Sequence, residues 1–305
     1  MTTPVRVYAA LLLAMIVLPV TAVHGQELTP NAYAPSPVGT NVAIAAYNYS
    51  IGDIALDPSL PVTGLHASIS TPVLGYGRTF GVLDHYANIG IAVPYVSGDL
   101  HGYYLGQYQA ISRTGFGDPQ LRVAVNLYGA PALTPRQFVG FQPQTIVGLS
   151  LIVVPPLGVY NDSKLINIGS NRWSFKPELG ISHPYGSWTL EMDLGGWFFT
   201  DNTNFYHGQL RSQDPIGAMQ LHAIYTIKPR LWVAVDGNYY TGGRTSINGT
   251  ANFDLQQNSR VGVTLSLPLR KLQSMRIAYS RGARTRIGGD FSTIGVSYQY
   301  VWFDH

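Results

Sequence analysis

The chain ends in Phe291-Ser-Thr-Ile-Gly-Val-Ser-Tyr-Gln-Tyr-Val-Trp-Phe303. Ile294, Val296, Tyr298, Tyr300 and Trp302 occupy alternate positions, and Thr293, Gly295, Ser297 and Gln299 occupy the positions between them. A strand turns successive side chains to opposite faces, so the segment has one apolar, aromatic face and one small polar face. Aromatic rings settle at a membrane–water boundary, where an apolar body and a polar tip are both satisfied. The pattern predicts a strand with lipid on one side, ending at the interface. Asp304 and His305 follow the last aromatic.

Working back along the chain, the same alternation recurs. Near 187–199, Trp188, Leu190, Met192, Leu194 and Phe198 oppose Thr189, Glu191, Asp193 and Gly195. Near 256–267, Val261, Val263, Leu265 and Leu267 oppose Gln256, Asn258, Arg260, Thr264 and Ser266. Segments near 120–128, 172–182, 231–241 and 274–281 repeat it. Sustained period-two patterning predicts strands with one apolar and one polar surface. Less regular strands are expected near 40–51, 66–78, 84–97, 144–156 and 214–226. With the closing strand the total is about twelve, an even number as bacterial single-chain barrels have. The expected fold is all-β: an antiparallel transmembrane β-barrel of about 12 strands.

Composition agrees. Charged residues make up 11% of the 305-residue chain, against ~25% in ordinary soluble proteins. Yet no segment beyond residue 25 is apolar enough for a membrane helix. Alternating faces reconcile low charge with the missing helix, because polar and apolar residues average out along each strand. A net charge of +3 gives no footprint for nucleic acid. The absence of cysteine excludes disulfide frameworks and thiolate metal sites.

The N-terminus reads as a secretory signal peptide over 1–25: Arg6, an apolar run from Val7 to Leu18, Pro19, then small residues up to Gly25. Residues 26–37 form a Pro-rich lead-in, expected to be extended and disordered. The barrel then spans 38–305, and the expected location is the bacterial outer membrane. Short connections near 79–83, 183–186, 227–230 and 268–273 alternate with longer ones rich in Gly, Asn, Asp and Tyr. Short periplasmic turns and long outer loops are the asymmetry of such barrels. The connection from Tyr128 to Pro143 breaks the alternation. Its Thr134-Pro135 pair has the look of a helix start, predicting a short periplasmic helix.

Several stretches carry a family resemblance: Gly39-Thr-Asn41, Asp57-Pro-Ser-Leu-Pro61, Gly115-Phe-Gly-Asp-Pro119, Asn126-Leu-Tyr-Gly-Ala-Pro131, Asn171-Arg-Trp173, Asp254-Leu-Gln-Gln-Asn-Ser-Arg260 and Arg286-Ile-Gly-Gly-Asp290. The chain resembles the bacterial outer-membrane transporter family of the meta-pathway of phenol degradation, over nearly all of its mature length. The resemblance implies a channel for passive uptake of small hydrophobic or aromatic compounds. It supplies no catalytic residues.

Charges in mid-strand must face inward, because lipid-facing charge costs ~2–4 kcal/mol at the midplane. The lumen-lining candidates are therefore Arg122, Lys176, Glu178, Glu191, Asp193, His222, Asp236, Arg260 and Arg276. They either select a permeant along its path or pair with one another and fill the lumen. Glu191 and Asp193 share a face, but two carboxylates are too few for a calcium site. No metal and no cofactor is expected. Gly115 and Gly117 do not open a phosphate loop, since no Lys-Ser/Thr and no helix follow. The Asp-Pro pair at 118–119 reads as the beginning of a strand. Expected partners are outer-membrane lipid, the barrel-insertion machinery through the closing strand, and a small solute. Two rival readings are a lipid-modifying hydrolase using His66 and Ser68, which share a strand face, and a non-conducting structural barrel.

Overall fold

A computed structural model describes residues 27–56 and 62–304. The expected signal peptide, the Asp57–Pro61 stretch and His305 lie outside them. In chain order the strands are β1 (Thr40–Ala55), β2 (Val62–Val82), β3 (His85–Tyr104), β4 (Gln107–Phe116) and β5 (Gln120–Tyr128), followed by helix α1 (Pro135–Phe138). Then come β6 (Ile146–Val154), β7 (Ser174–Tyr185), β8 (Trp188–Phe199), β9 (Asn202–Phe205), β10 (Gln209–Gln213), β11 (Ile216–Lys228) and β12 (Leu231–Gly242). The last are β13 (Thr245–Ile247), β14 (Thr250–Ala251), β15 (Gln256–Arg270), β16 (Gln273–Arg284) and β17 (Gly288–Phe303).

Twelve antiparallel strands close into a barrel in the order β2-β1-β17-β16-β15-β12-β11-β8-β7-β6-β5-β3, with β2 pairing back onto β3. Closure leaves no sheet edge within the membrane, where an unpaired N–H or C=O has no water to meet. The closing strand β17 pairs β1 in continuous register from Thr40↔Phe303 to Ala55↔Gly288. Asp304, just past the aromatic terminus, ties three elements together. Its carboxylate accepts from Asn41 Nδ2 at 2.9 Å and Arg78 Nη2 at 2.5 Å, and its N–H donates to Gly39 O.

The alternation read from the sequence sorts the faces. Ile294, Val296, Val263, Leu190 and Val235 are exposed on the outer wall, while Arg260, Glu191, Asp236 and Gln299 are buried inside. Aromatic pairs mark one rim at Tyr76–Trp302 and Trp188–Tyr225, and the other at Tyr95–Phe116 and Trp173–Phe175. The first rim carries the short turns, the periplasmic end of an outer-membrane barrel. Leu83 and Asp84 form one of these turns with φ of 47° and 65°, the left-handed pair that matches strand twist in a two-residue hairpin. Helix α1 sits at this rim. Thr134 caps it, accepting from Gln137 N while the Gln137 side chain accepts from Thr134 N.

At the other rim the structure departs from the expected loops. β2 and β3 continue past the membrane height, and β4 pairs only with β3, turning at Leu105-Gly106. Residues 200–215 and 243–255 contain a separate four-stranded sheet, β14-β13-β10-β9. Segments rich in Gly, Asn and Tyr read as loops, yet the ladder continues wherever a neighbouring strand extends alongside.

The largest departure is the lead-in. Residues 27–38 lie inside the barrel, with Glu27, Ala32, Tyr33 and Ser36 buried. Pro30, Pro35 and Pro37 have no backbone N–H to satisfy, Thr29 N donates to Gln220 Oε1, and Asn31 N donates to Glu191 Oε2. The segment is thus ordered in part by side chains far away in sequence. Tyr33 is seated where two strands carry glycine on their inner faces: a Cβ at Gly148 or Gly180 would lie 2.2 Å or 1.9 Å from its ring. Its carbonyl accepts from Asn126 Nδ2 at 2.8 Å.

Two outcomes follow. Val263→Arg, on the lipid face, is expected to destabilise the folded barrel by ~2–4 kcal/mol in urea titrations in lipid vesicles, while Val263→Leu leaves it unchanged. Gly180→Ala is expected to unseat the Tyr33 ring. Hydrogen–deuterium exchange should then rise across residues 27–38 while the strand ladders keep their protection.

Candidate functional site

All nine charged residues expected in the lumen are buried there. Their partners are mostly one another and the inserted segment. Lys176 on β7 lies 2.7 Å from Glu178 and 3.6 Å from Glu27, a cation between two carboxylates. Glu178 also accepts from Tyr33 OH at 3.3 Å and Gln220 Nε2 at 3.3 Å. Glu191 on β8 accepts from Asn31 N at 2.7 Å and Ser182 Oγ at 2.9 Å. Arg122 on β5 donates to Ala32 O and Asn88 Oδ1, and its guanidinium lies 5.2 Å from the Tyr33 ring centre. A buried charge is tolerated only when paired and hydrogen-bonded. The inserted segment supplies much of that pairing.

A second group sits further round the wall. His222 Nδ1 is 2.7 Å from Asp236 Oδ1, and its Nε2 is 3.9 Å from Asp193 Oδ2. Asp236 Oδ2 accepts from Thr264 Oγ1 at 2.7 Å. Arg260 donates to Phe291 O and Ser280 Oγ, and Arg276 lies over the Trp232 ring at 5.2 Å. Charges of both signs thus line the lumen, with the acids on β7, β8 and β12 and two arginines on β15 and β16. Among the described residues no group of three or more His, Asp or Glu is arranged to hold a metal ion.

The inserted segment divides the lumen. Toward the periplasmic end is a cavity of about 320 Å³, lined by Ala34, Pro35, the stacked rings of Phe138 and Phe141, Trp232 and Arg276. Toward the outer end is one of about 340 Å³, lined by Glu27, Pro94, Val96, Leu165, Ile166, Arg172 and Arg211 among others. A further small cavity, of about 10 Å³, lies among Thr29, Ala32, Arg122, Lys176 and Glu178.

The outer cavity owes its shape to Asp118. Its carboxylate accepts from Gly158 N, Ser170 N and Ser170 Oγ, each at 2.7 Å, and so fastens the 155–173 connection against the wall. The fit is close: a Cβ at Gly115, where φ is +155°, would lie 2.7 Å from Val159. The Gly115–Pro119 stretch therefore both begins a strand and clasps a loop. Next to it, Arg172 is 8% exposed and stacks on Phe199 at 4.3 Å. Burial, then the neighbouring Arg211, pull its guanidinium down from the ordinary arginine value to about 9.

Sequence reasoning missed Glu27, Tyr33, Asp118, Arg172 and Arg211. The available signals were glycines on inward strand positions (148 and 180) and the Asn171-Arg-Trp173 motif. The loop aromatics divide: Tyr239 joins the outer girdle, Tyr240 is buried inside, and Tyr103 and Tyr108 pack on the β3–β4 hairpin. His66 and Ser68 share a face as their spacing requires. His66 Nδ1 meets Asp53 Oδ1 at 2.8 Å and its ring meets His101 at 5.3 Å, on the outer wall above the membrane. Ser68 stands in register with Ile51 and Asp99. His66 is thus engaged with Asp53 and His101, and the comparisons with solved structures do not support the hydrolase reading.

Those comparisons are as follows. The crystal structure of an outer membrane channel from Pseudomonas putida F1 superposes with a TM-score of 0.79 at 21% identity, covering 90% of this chain and 100% of that one. The β domain of the Bordetella autotransporter BrkA gives 0.49 at 11% identity, covering 86% and 99%. The NanC porin gives 0.47 at 10%, covering 86% and 100%. The first likeness establishes the fold as that of an outer-membrane barrel. A search of curated protein sequences finds no match. A family model spans residues 58–298, most of the barrel, and the chain belongs to that family, described as "Putative MetA-pathway of phenol degradation".

Proposed function

We propose that the protein is an outer-membrane channel for passive uptake of small hydrophobic or aromatic compounds, with outer-membrane lipid around its wall and the insertion machinery reading its closing strand. The observation that carries this reading is a polar lumen holding a cavity on each side of residues 27–38. The P. putida neighbour is itself named a channel, and the family description concerns phenol degradation; both support the reading.

The nine lumen charges take two parts in it. Arg122, Lys176, Glu178 and Glu191 hold the inserted segment. Asp193, His222, Asp236, Arg260 and Arg276 line the remaining wall and set the field that a solute meets. Residues 27–38 lie across the lumen, bonded to Arg122, Glu191 and Gln220 of the wall, so transit requires them to shift. The chain has no cysteine, which makes this directly testable. Thr29 Oγ1 and Gln220 Oε1 lie 3.2 Å apart. Thr29→Cys combined with Gln220→Cys, joined by a short thiol cross-linker, is expected to abolish uptake by proteoliposomes, and reduction of a cleavable linker should restore it. The solute panel is phenols, aromatic acids, alkanes and sugars. Selective, saturable entry of one class supports the reading. Uptake of no compound by the uncross-linked barrel, with strand content intact by circular dichroism, overturns it.

A further inference from the structure

We propose that the outer cavity is a binding site for an organic monoanion with a compact apolar body, an aromatic carboxylate, held by Arg172 and Arg211. The inference rests on the channel reading for its biological use, though not for the binding itself.

Two cationic groups share an enclosure with both polar and apolar lining. Arg172 is held flat by Phe199 and anchored by donation to the Gln213 side-chain carbonyl. Its Nη1 is buried without a hydrogen-bond partner. A buried donor in that condition costs free energy until an acceptor arrives. Arg211 lies over the Phe205 ring at 5.1 Å on the same cavity. Like charges held together out of water favour an anion between them, and the depressed guanidinium of Arg172 is the same effect seen as proton affinity.

Asp118 and Asp201 act on Arg172 and Asp254 on Arg211 through charge; Asp201 is exposed, and the other acids nearby have partners of their own. Asp118 accepts from the 155–173 connection. Glu27 faces Lys176 at 3.6 Å. Asp254 accepts from Thr245 N at 2.8 Å and Thr245 Oγ1 at 2.5 Å. Pro94, Val96, Leu165, Ile166 and Ile168 give the cavity an apolar portion that a free inorganic anion would not use. The planar fork of a guanidinium matches a carboxylate, and the apolar wall matches a ring. The cavity, about 340 Å³, falls in the ~300–1,000 Å³ range of small-molecule sites.

The test is isothermal titration of the full refolded barrel with benzoate, its neutral analogue benzyl alcohol, acetate and inorganic phosphate. Benzoate is expected to bind saturably, with one site per chain, at least tenfold more tightly than the other three. Arg172→Gln and Arg211→Gln should each weaken benzoate at least tenfold and leave benzyl alcohol unchanged. Arg244→Gln, exposed and off the cavity, should change neither. Should Arg172→Gln fail to fold, Arg211→Gln carries the test alone. Benzoate binding that matches benzyl alcohol, or that survives both cavity variants, overturns the proposal. So does acetate or phosphate binding as tightly as benzoate. Uptake of benzyl alcohol is followed in parallel. Uptake without benzoate binding removes the anion site and keeps the channel; benzoate binding without uptake of either compound does the reverse.

Discussion

A sheet that crosses lipid cannot have an edge. Every N–H and C=O at membrane depth needs a partner within the protein, and only closure supplies one for the first and last strands alike. Here closure is made by the β1–β17 ladder. From it follows the rest of the design. The outer face must be apolar, because lipid surrounds it. The inner face is released from that demand. Twelve strands enclose more space than side chains fill in an eight-stranded barrel, so the interior must be water, protein or both. In this chain it is filled at mid-height by residues 27–38 and left as cavities above and below.

The interior is therefore neither a hydrophobic core nor an open pore. Its apolar clusters are small, among them Tyr33 with Tyr86 and Ile146, and Trp197 with Ile216 and Tyr240. Between them the packing is electrostatic. Lys176 sits between Glu27 and Glu178, and His222 between Asp236 and Asp193. Taking such groups out of water is costly unless every partner is in place. That explains why the inserted segment offers carbonyls and N–H groups to the wall: Glu27 O to Asn238, Ala32 O to Arg122, and Asn31 N to Glu191.

The wall was legible because period-two alternation is local. Each of the nine lumen charges could be placed inside from its immediate neighbours, and the Thr134–Gln137 capping box from four residues. The contents of the lumen were not legible for the opposite reason. Thr29 meets Gln220 and Asn31 meets Glu191 across separations of 191 and 160 residues. No local pattern encodes such contacts, and a Pro-rich lead-in looks the same whether it hangs free or threads a barrel. Gly148 and Gly180 were the trace it left, bare inward positions on adjacent strands that make sense only once the Tyr33 ring lies across them. The outer sheet was missed for a related reason, since turn-rich composition does not reveal that β9, β10, β13 and β14 find one another.

The chemistry of the inserted segment also bears on whether it can move. An apolar plug leaving a polar lumen would expose grease to water and strand nothing, and would return at once. This segment is held mainly by hydrogen bonds to charged and amide side chains, each contributing a net ~0.5–3 kcal/mol. Water entering a vacated lumen would replace those bonds, and Lys176 has a counter-charge on its own strand, Glu178, besides Glu27. The pairs His222–Asp236 and Thr264–Asp236 lie wholly within the wall and do not depend on the segment. What would be lost outright is the seat of the Tyr33 ring in its glycine cradle and the burial of the small cluster around it. On the proposed channel reading, release of the segment would turn on one aromatic side chain and a set of exchangeable polar contacts, with the strand ladders of the barrel left in place.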